Sequence, residues 1–273
     1  MSLTHNLNTQ KTVLDDKLLA VKDLCFSYNG SLNSNTCPNN LAQHYGELSN
    51  ISFSLKRGEK VALVGANGSG KSTLLLLLSG CLHPQQGSII LNGEDVTSQV
   101  HLARKHAAVL FQDPDNQLFM PSVREELLFS LAHSELEDKL DKTQKKQAVD
   151  KILEKLGIEH LSERPPHHLS VGEKKRVALA SLLITDPLLL LLDEPSAALD
   201  PRSRRKLLET LKELDTALLM ATHDLDLALE LADKVIVLHE GKITAESKIP
   251  GILVDAVFLE KNALELPLSL LKS

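Results

Sequence analysis

Nine consecutive residues, Gly65-Ala66-Asn67-Gly68-Ser69-Gly70-Lys71-Ser72-Thr73, are suited to holding a chain of phosphates. They fit G-x-x-x-x-G-K-S/T. Gly65, Gly68 and Gly70 let backbone N–H groups, those of Asn67 and Ser69 included, turn inward on phosphate oxygens. A helix starting at the lysine adds its positive end. Lys71 can reach the terminal phosphates, the Ser72 hydroxyl can ligate Mg²⁺, and Thr73 directly follows the eight-residue pattern. The stretch is expected to bind a nucleoside triphosphate.

Hydrolysing that triphosphate takes more than a cradle. Mg²⁺ must be held, a water aligned with the γ-phosphorus, and the charge that spreads during transfer neutralised. Asp193 and Glu194 directly follow the apolar run Leu188–Leu192. Asp193 is the expected carboxylate on the metal, and Glu194 can polarise the attacking water as a general base. Two carboxylates at the end of a buried strand cost too much to be incidental. His223, in Thr222-His223-Asp224, ends the next apolar run and can hydrogen-bond the γ-phosphate or the water.

These groups need strands to carry them. Lys60–Val64, just before the glycine loop, reads as a short buried strand. Leu74–Leu78 is apolar all round, as a helix inside a core would be. Leu188–Leu192, bounded by Pro187 and Asp193, suits a fully buried parallel strand. Ala217–Ala221 and Val235–Leu238 open two further strand–helix units. In open α/β sheets ligands bind outside the carboxyl ends of the strands, so the glycine loop, Asp193, Glu194 and His223 should converge on one edge.

Elsewhere, Leu18–Val21, Cys25–Tyr28, Ile51–Leu55, Ser88–Leu91 and Val109–Phe111 read as strands. Residues 29–47 have loop chemistry. From Val123 to Leu161 the pattern is helical and heavily charged, a solvated lobe closed by Pro165-Pro166. Ser170 to Leu183 restarts as a helix, with Glu173, Lys174, Lys175 and Arg176 as its polar start. The expected architecture is α/β: a parallel or mixed sheet with helices on its faces and an inserted α-helical subdomain at about 114–168. Residues 1–16 are expected to be a flexible tail, and 248–273 a short helical one.

A net charge of −6 gives no basic excess of the kind that grips nucleic acid. Aromatics at 3%, with no Trp, offer no stacking platform for bases. No nucleic-acid partner is expected. Cys25, Cys37 and Cys81 form no C-x-x-C pair and are expected as free thiols in a reducing cytosol. The N-terminus lacks the basic start and apolar core of a signal peptide. No apolar run approaches the roughly 18 residues of a membrane span. A chain of this kind would serve a membrane only from its cytoplasmic side, through another chain.

Gly65–Thr73, Gln112, Leu169-Ser170-Val171-Gly172-Glu173, Leu188–Pro195, Ser196-Ala197-Ala198-Leu199-Asp200 and His223 together resemble an ATP-binding-cassette (ABC) ATPase, in order and at that family's spacing. The Leu169–Glu173 signature separates this family from other P-loop proteins. The resemblance implies a P-loop NTPase fold over residues 17–247, with a RecA-like core and an N-terminal antiparallel β subdomain. It implies ATP and Mg²⁺ as ligands. Tyr28 would stack on adenine, and Gln112 would touch Mg²⁺ and water. It also implies a second ATPase subunit packed head to tail. Ser170 and Gly172 would then contact the γ-phosphate on the partner's loop, with Asp200 across the seam. One departure is Val171, where the family usually has glycine.

Phe111–Phe119 is similar to the region after the Q-loop glutamine in energy-coupling-factor transporter ATPases, with Gln117 as a second glutamine. Leu169–Ala178 looks like the cobalt/nickel uptake members of that group, and Val257–Pro267 resembles their short C-terminal helix. The 29–47 loop is longer than usual and the tail stops early. The implied partners are an identical or sister ATPase, a transmembrane coupling subunit and a substrate-binding membrane subunit. Cobalt or nickel ions and a vitamin both remain open as the solute. A P-loop GTPase would need an N-K-x-D motif, which is absent. A metabolic kinase would leave the signature unexplained. Cytosolic cassette ATPases acting on nucleic acid or ribosomes usually carry two cassettes or a long coiled-coil insertion, and this chain has one P-loop.

Overall fold

The computed structural model describes residues 16–28 and 47–271. The expected N-terminal tail (but for Asp16), the 29–47 loop (but for Glu47) and Cys37 lie outside the described residues.

The chain opens with β1 (Lys17–Phe26), β2 (Leu48–Lys56), β3 (Lys60–Val64), α1 (Lys71–Leu78), β4 (Gln86–Leu91) and β5 (Glu94–Asp95). Next come α2 (Val100–His106), β6 (Ala107–Leu110), α3 (Val123–Ala132), α4 (Lys142–Leu156) and α5 (Val171–Leu183). Then follow β7 (Leu189–Asp193), α6 (Pro201–Lys212), β8 (Ala217–Thr222), α7 (Leu225–Leu231), β9 (Lys234–His239), β10 (Lys242–Lys248) and α8 (Ala256–Lys261). They form two sheets. One is antiparallel in the order β2-β1-β4-β5; the other runs β10-β9-β3-β8-β7-β6 and is parallel except for β10. This is the expected mixed α/β P-loop NTPase architecture.

Leucine favours helices, so tertiary context makes Leu189–Leu192 a strand. All four are buried, paired with β6 on one side and β8 on the other. Strand side chains alternate between faces. Leu190 and Leu192 therefore join Ala62, Val64, Leu218 and Met220 in a core with the helices of the later half. Leu189 and Leu191 join Val61, Leu63 and Leu219 in a second core, with α1 and the antiparallel sheet. α1 is wedged between the sheets, which accounts for its apolar surface: Leu74, Leu75, Leu77 and Leu78 are all buried. Each contributes about 1.5–3 kcal/mol of burial. The α3–α4 lobe packs on α5 through Val123, Leu127, Val149 and Leu153, its charge facing outward.

Several expectations need correction. Leu18–Val21 and Cys25–Phe26 form one strand, irregular where Asp23 takes φ 50°, and Tyr28 lies in a turn beyond it. β9 leads into an antiparallel hairpin instead of a strand–helix unit. Glu240 and Gly241 take φ 45° and 71°, the left-handed pair that a tight hairpin requires. Within the 248–273 tail Lys248 still belongs to β10, and the described residues after it hold only the six-residue α8 and a short 3₁₀ turn, Gly251–Val254, the rest being irregular. Its apolar residues Leu253, Leu259 and Leu264 reach the core without helical periodicity. Cys81 is a free thiol, but Cys25, fully buried, is disulfide-bonded.

Candidate active site

The carboxyl ends of β3, β6, β7 and β8 lie on one edge because these strands are parallel and in register, with Val64 opposite Thr222 and Asp193 opposite Ala221. From β3 the chain enters the glycine loop, and α1 starts at Lys71. Gly70, its N-cap, has φ 104°, and a Cβ there would stand 2.7 Å from Leu48 Cδ2. The left-handed backbone demands glycine there. No acidic residue lies in the first turn of α1, so nothing on the helix neutralises its positive end. Lys71 is buried, and its Nζ donates to the carbonyls of Gly65 at 2.8 Å and Ala66 at 3.1 Å. Burial lowers the basicity of that ammonium, while Glu194 and Asp193 counteract the drop.

Asp193 ends β7. Burial pushes its carboxyl up, against the Ser72 hydroxyl bonded to it. Its Oδ1 is buried without a hydrogen-bond partner. An orphaned carboxylate oxygen beside a hydroxyl is a pair of hard oxygen donors that fits Mg²⁺; Ser72 and Gln112 line the cleft described next, and Asp193 is not among its lining residues. Glu194 follows with φ 43°, unusual for a non-glycine residue and held by its N–H donating to Ala221 O at 2.9 Å. Its Oε1 accepts from the His223 backbone N–H at 3.1 Å and lies 2.8 Å from His223 Nδ1. Its Oε2 accepts from Thr222 Oγ1 at 3.1 Å. Glu194 is buried, whereas the His223 side chain is more than half exposed.

Asn67, Gly68, Gly70 and Lys71–Thr73, with Gln112, Glu194 and His223, line one cleft of about 360 Å³. At its rim, Tyr28 is 55% exposed and holds its hydroxyl 3.3 Å from Thr73 Oγ1. Phe26 supports the ring edge-on at 4.8 Å, leaving an aromatic surface beside the loop. Gln117 Oε1 accepts from Phe111 N–H, bracing the segment that carries Gln112.

Ser170, Gly172 and Asp200 are not among the residues lining this cleft. Ser170 caps α5 in a capping box with Glu173: its Oγ accepts from Glu173 N–H at 3.4 Å and donates to Oε2 at 2.7 Å. Val171 is helical and 44% exposed, so its side chain costs the helix nothing in packing. Asp200 caps α6, accepting from the N–H groups of Arg202 and Ser203. Both capping residues are exposed.

Sequence reasoning missed two members of the site. Thr222 binds Glu194, and Lys175, assigned to the polar start of its helix, is 1% exposed with Nζ on three carbonyls of the Glu194–Ala197 turn. Lys175 shares its helix face with the buried Ala178 and Leu179, three and four residues on. That spacing points to burial but not to the carbonyls that Lys175 meets.

Residues 48–197, more than half of the chain, match the family model described as ABC transporter. The chain belongs to the ABC transporter family. Over 226 residues it is 48% identical to a putative ABC transporter ATP-binding protein of Gloeobacter violaceus, covering 82% of this chain and 91% of the relative. It is 39% identical to the energy-coupling factor transporter ATP-binding protein EcfA of Methanocaldococcus jannaschii, over 81% of this chain and 80% of that one. Among solved structures it is similar to cbiO1 from Clostridium perfringens, part of the ABC transporter complex cbiONQ. That likeness has a TM-score of 0.75 and 33% identity, over 90% of this chain and 94% of that one. The chain is thus an ATP-binding subunit of the ABC type, with ATPase activity. No helix among the described residues is long and apolar enough to cross a membrane.

Proposed function

We propose that this ABC ATPase drives an energy-coupling-factor-type importer from the cytoplasmic face of the membrane, with cobalt or nickel ions as the solute. The observation that carries the reading is the convergence of Asn67, Gly68, Gly70–Thr73, Gln112, Glu194 and His223 on one cleft. In this reading the triphosphate lies along the loop, its charge met by backbone N–H groups, the α1 terminus and Lys71. Tyr28 stacks on the adenine. Glu194 takes the proton of the attacking water, and His223, bound to the same carboxylate, orients water and γ-phosphate. Ser72, Asp193 and Gln112 would hold Mg²⁺, which neutralises charge on the β- and γ-phosphate oxygens when bound.

Ser170, Gly172 and Asp200 serve the ATP of a second ATPase subunit. They crown the exposed N-termini of α5 and α6, away from their own cleft. A helix N-terminus is a ready anion site. ATP would therefore pull two subunits together head to tail and hydrolysis release them, moving the helical lobe against the transmembrane coupling subunit. The energy-coupling-factor relatives support this branch, and the wording of Leu169–Ala178 favours cobalt or nickel within it.

Reconstitution with the native membrane subunits and ATP, followed by uptake of Co²⁺, Ni²⁺ and vitamins, tests the assignment. ATP-dependent accumulation of Co²⁺ or Ni²⁺ is expected. Accumulation of a vitamin alone would reassign the solute, and no ATP-dependent uptake of any solute would overturn the transport role.

A further inference from the structure

The Lys175 side chain is a charge buried inside the protein, on α5, and it meets no carboxylate within ion-pairing distance among the described residues. Its Nζ donates to Glu194 O at 3.0 Å, Pro195 O at 3.1 Å and Ala197 O at 2.8 Å. An ammonium has three donors and no acceptor. Three carbonyls of one turn therefore use its whole hydrogen-bonding capacity. A leucine or methionine would fill the same space without the cost of burying a charge. What the lysine adds is a hold on backbone.

That backbone needs holding. Glu194 at φ 43° and Ala198 at φ 60° bracket the turn in left-handed conformations that L-residues adopt rarely. Apart from Lys175, the turn is tied by Glu194 N–H to Ala221 O, by Ala197 N–H to Glu194 O, by Leu199 N–H to Ser196 O and by the Ser196 hydroxyl to Asp224 Oδ2. The residue whose carbonyl Lys175 grips carries the carboxylate that meets His223 and Thr222.

We propose that Lys175 is a positioning residue for hydrolysis, clamping the Glu194–Ala197 turn so that the Glu194 carboxylate is set for the attacking water. The same side chain ties the base to the signature end of α5. Ser170, the cap of that helix, lies five residues earlier, about 7.5 Å along the axis. A displacement of the signature end is passed to the Glu194 turn through this ammonium. The inference rests on the reading of Glu194 as the general base.

Lys175→Met keeps length and volume and removes every donor, and Lys175→Gln restores an amide donor. Turnover, the Kd for ATP and the melting curve are measured for each, alone and on a Glu194→Gln background. Lys175→Met should lower turnover by about 30- to 100-fold, as a misplaced catalytic group does, with the Kd for ATP within about twofold of the native value. Lys175→Gln should recover part of the rate. On the Glu194→Gln background, Lys175→Met should add less than about a twofold further loss, because residues acting as a unit are not additive.

Native turnover in folded Lys175→Met, a rate loss matched by weaker ATP binding, or full additivity with Glu194→Gln would each overturn the proposal. If Lys175→Met fails to fold, Lys175→Gln carries the same comparison. Undiminished turnover in Glu194→Gln alone would instead overturn the base assignment on which the inference rests.

Discussion

Glu194 Oε1 faces two groups of one residue, the His223 ring nitrogen Nδ1 at 2.8 Å and the His223 backbone N–H at 3.1 Å. Thr222 fixes the other oxygen, so the carboxylate is oriented within the protein. His223→Ala removes the ring and keeps the backbone contact. Turnover should fall by about 10- to 100-fold, within the range for one positioned proton-handling group, while the Kd for ATP changes by less than about fivefold. Steady-state hydrolysis paired with equilibrium binding checks this.

Lys71 sits where the loop can hand it from two carbonyls to a phosphate. Lys71→Ala should raise the Kd for ATP by about 100-fold, the loss of about 3 kcal/mol that a charge-assisted bond to a polyanion represents. Isothermal titration with ATP measures it directly.

Tyr28 presents half its surface beside Thr73 and is propped by Phe26. Tyr28→Ala should cost about 1–3 kcal/mol of ATP affinity, the range for base–aromatic stacking, whereas Tyr28→Phe should stay within about threefold of native. Equal losses in both variants would assign the effect to the hydroxyl contact with Thr73. Binding of ATP and of inorganic triphosphate separates the base from the phosphates.

A Cβ on Gly172 would lie 2.6 Å from Ser203 Oγ and 2.9 Å from Ser203 Cβ. Gly172→Ala should therefore push α5 from α6 and destabilise the fold by about 1–3 kcal/mol, the usual cost of overpacking. Ser203→Gly in the same chain should restore most of the gap between the helices. The two melting temperatures, read against Ser203→Gly alone, decide it.

The Ser170 hydroxyl and backbone N–H hold the Glu173 carboxyl below its usual range. A carboxyl depressed in the folded state stabilises above its unfolded pKa of about 4.3, and that stability is lost as pH falls through the folded value. Glu173→Gln should cost about 0.5 kcal/mol at pH 7, modest because solvent screens the group. The difference in melting temperature from native should shrink as the pH is taken below 4. A difference that is constant with pH would mean that charge plays no part in the cap.

The glycine loop was legible because the conformation it takes restricts the local sequence. Glycine at Gly70 follows from its backbone angle, and the Leu188–Leu192 run before Asp193 could be buried on both faces only in a parallel sheet. Lys175 was hidden for the opposite reason. Its burial depends on carbonyls 19 to 22 residues away, and local periodicity around a polar helix start carries no information about them. The β9–β10 hairpin was written in Glu240-Gly241 but masked by the strand–helix rhythm before it. The tail's apolar residues suggested a helix, yet docking on the core arranges them with only six helical residues.

The most direct test of a cleft built for hydrolysis is Glu194→Gln, which keeps shape and hydrogen-bonding reach and removes the proton acceptor. ATP turnover should drop by at least about 100-fold, with the Kd for ATP within about threefold of native. Hydrolysis by that variant at the native rate would contradict the assignment of Glu194 as the base.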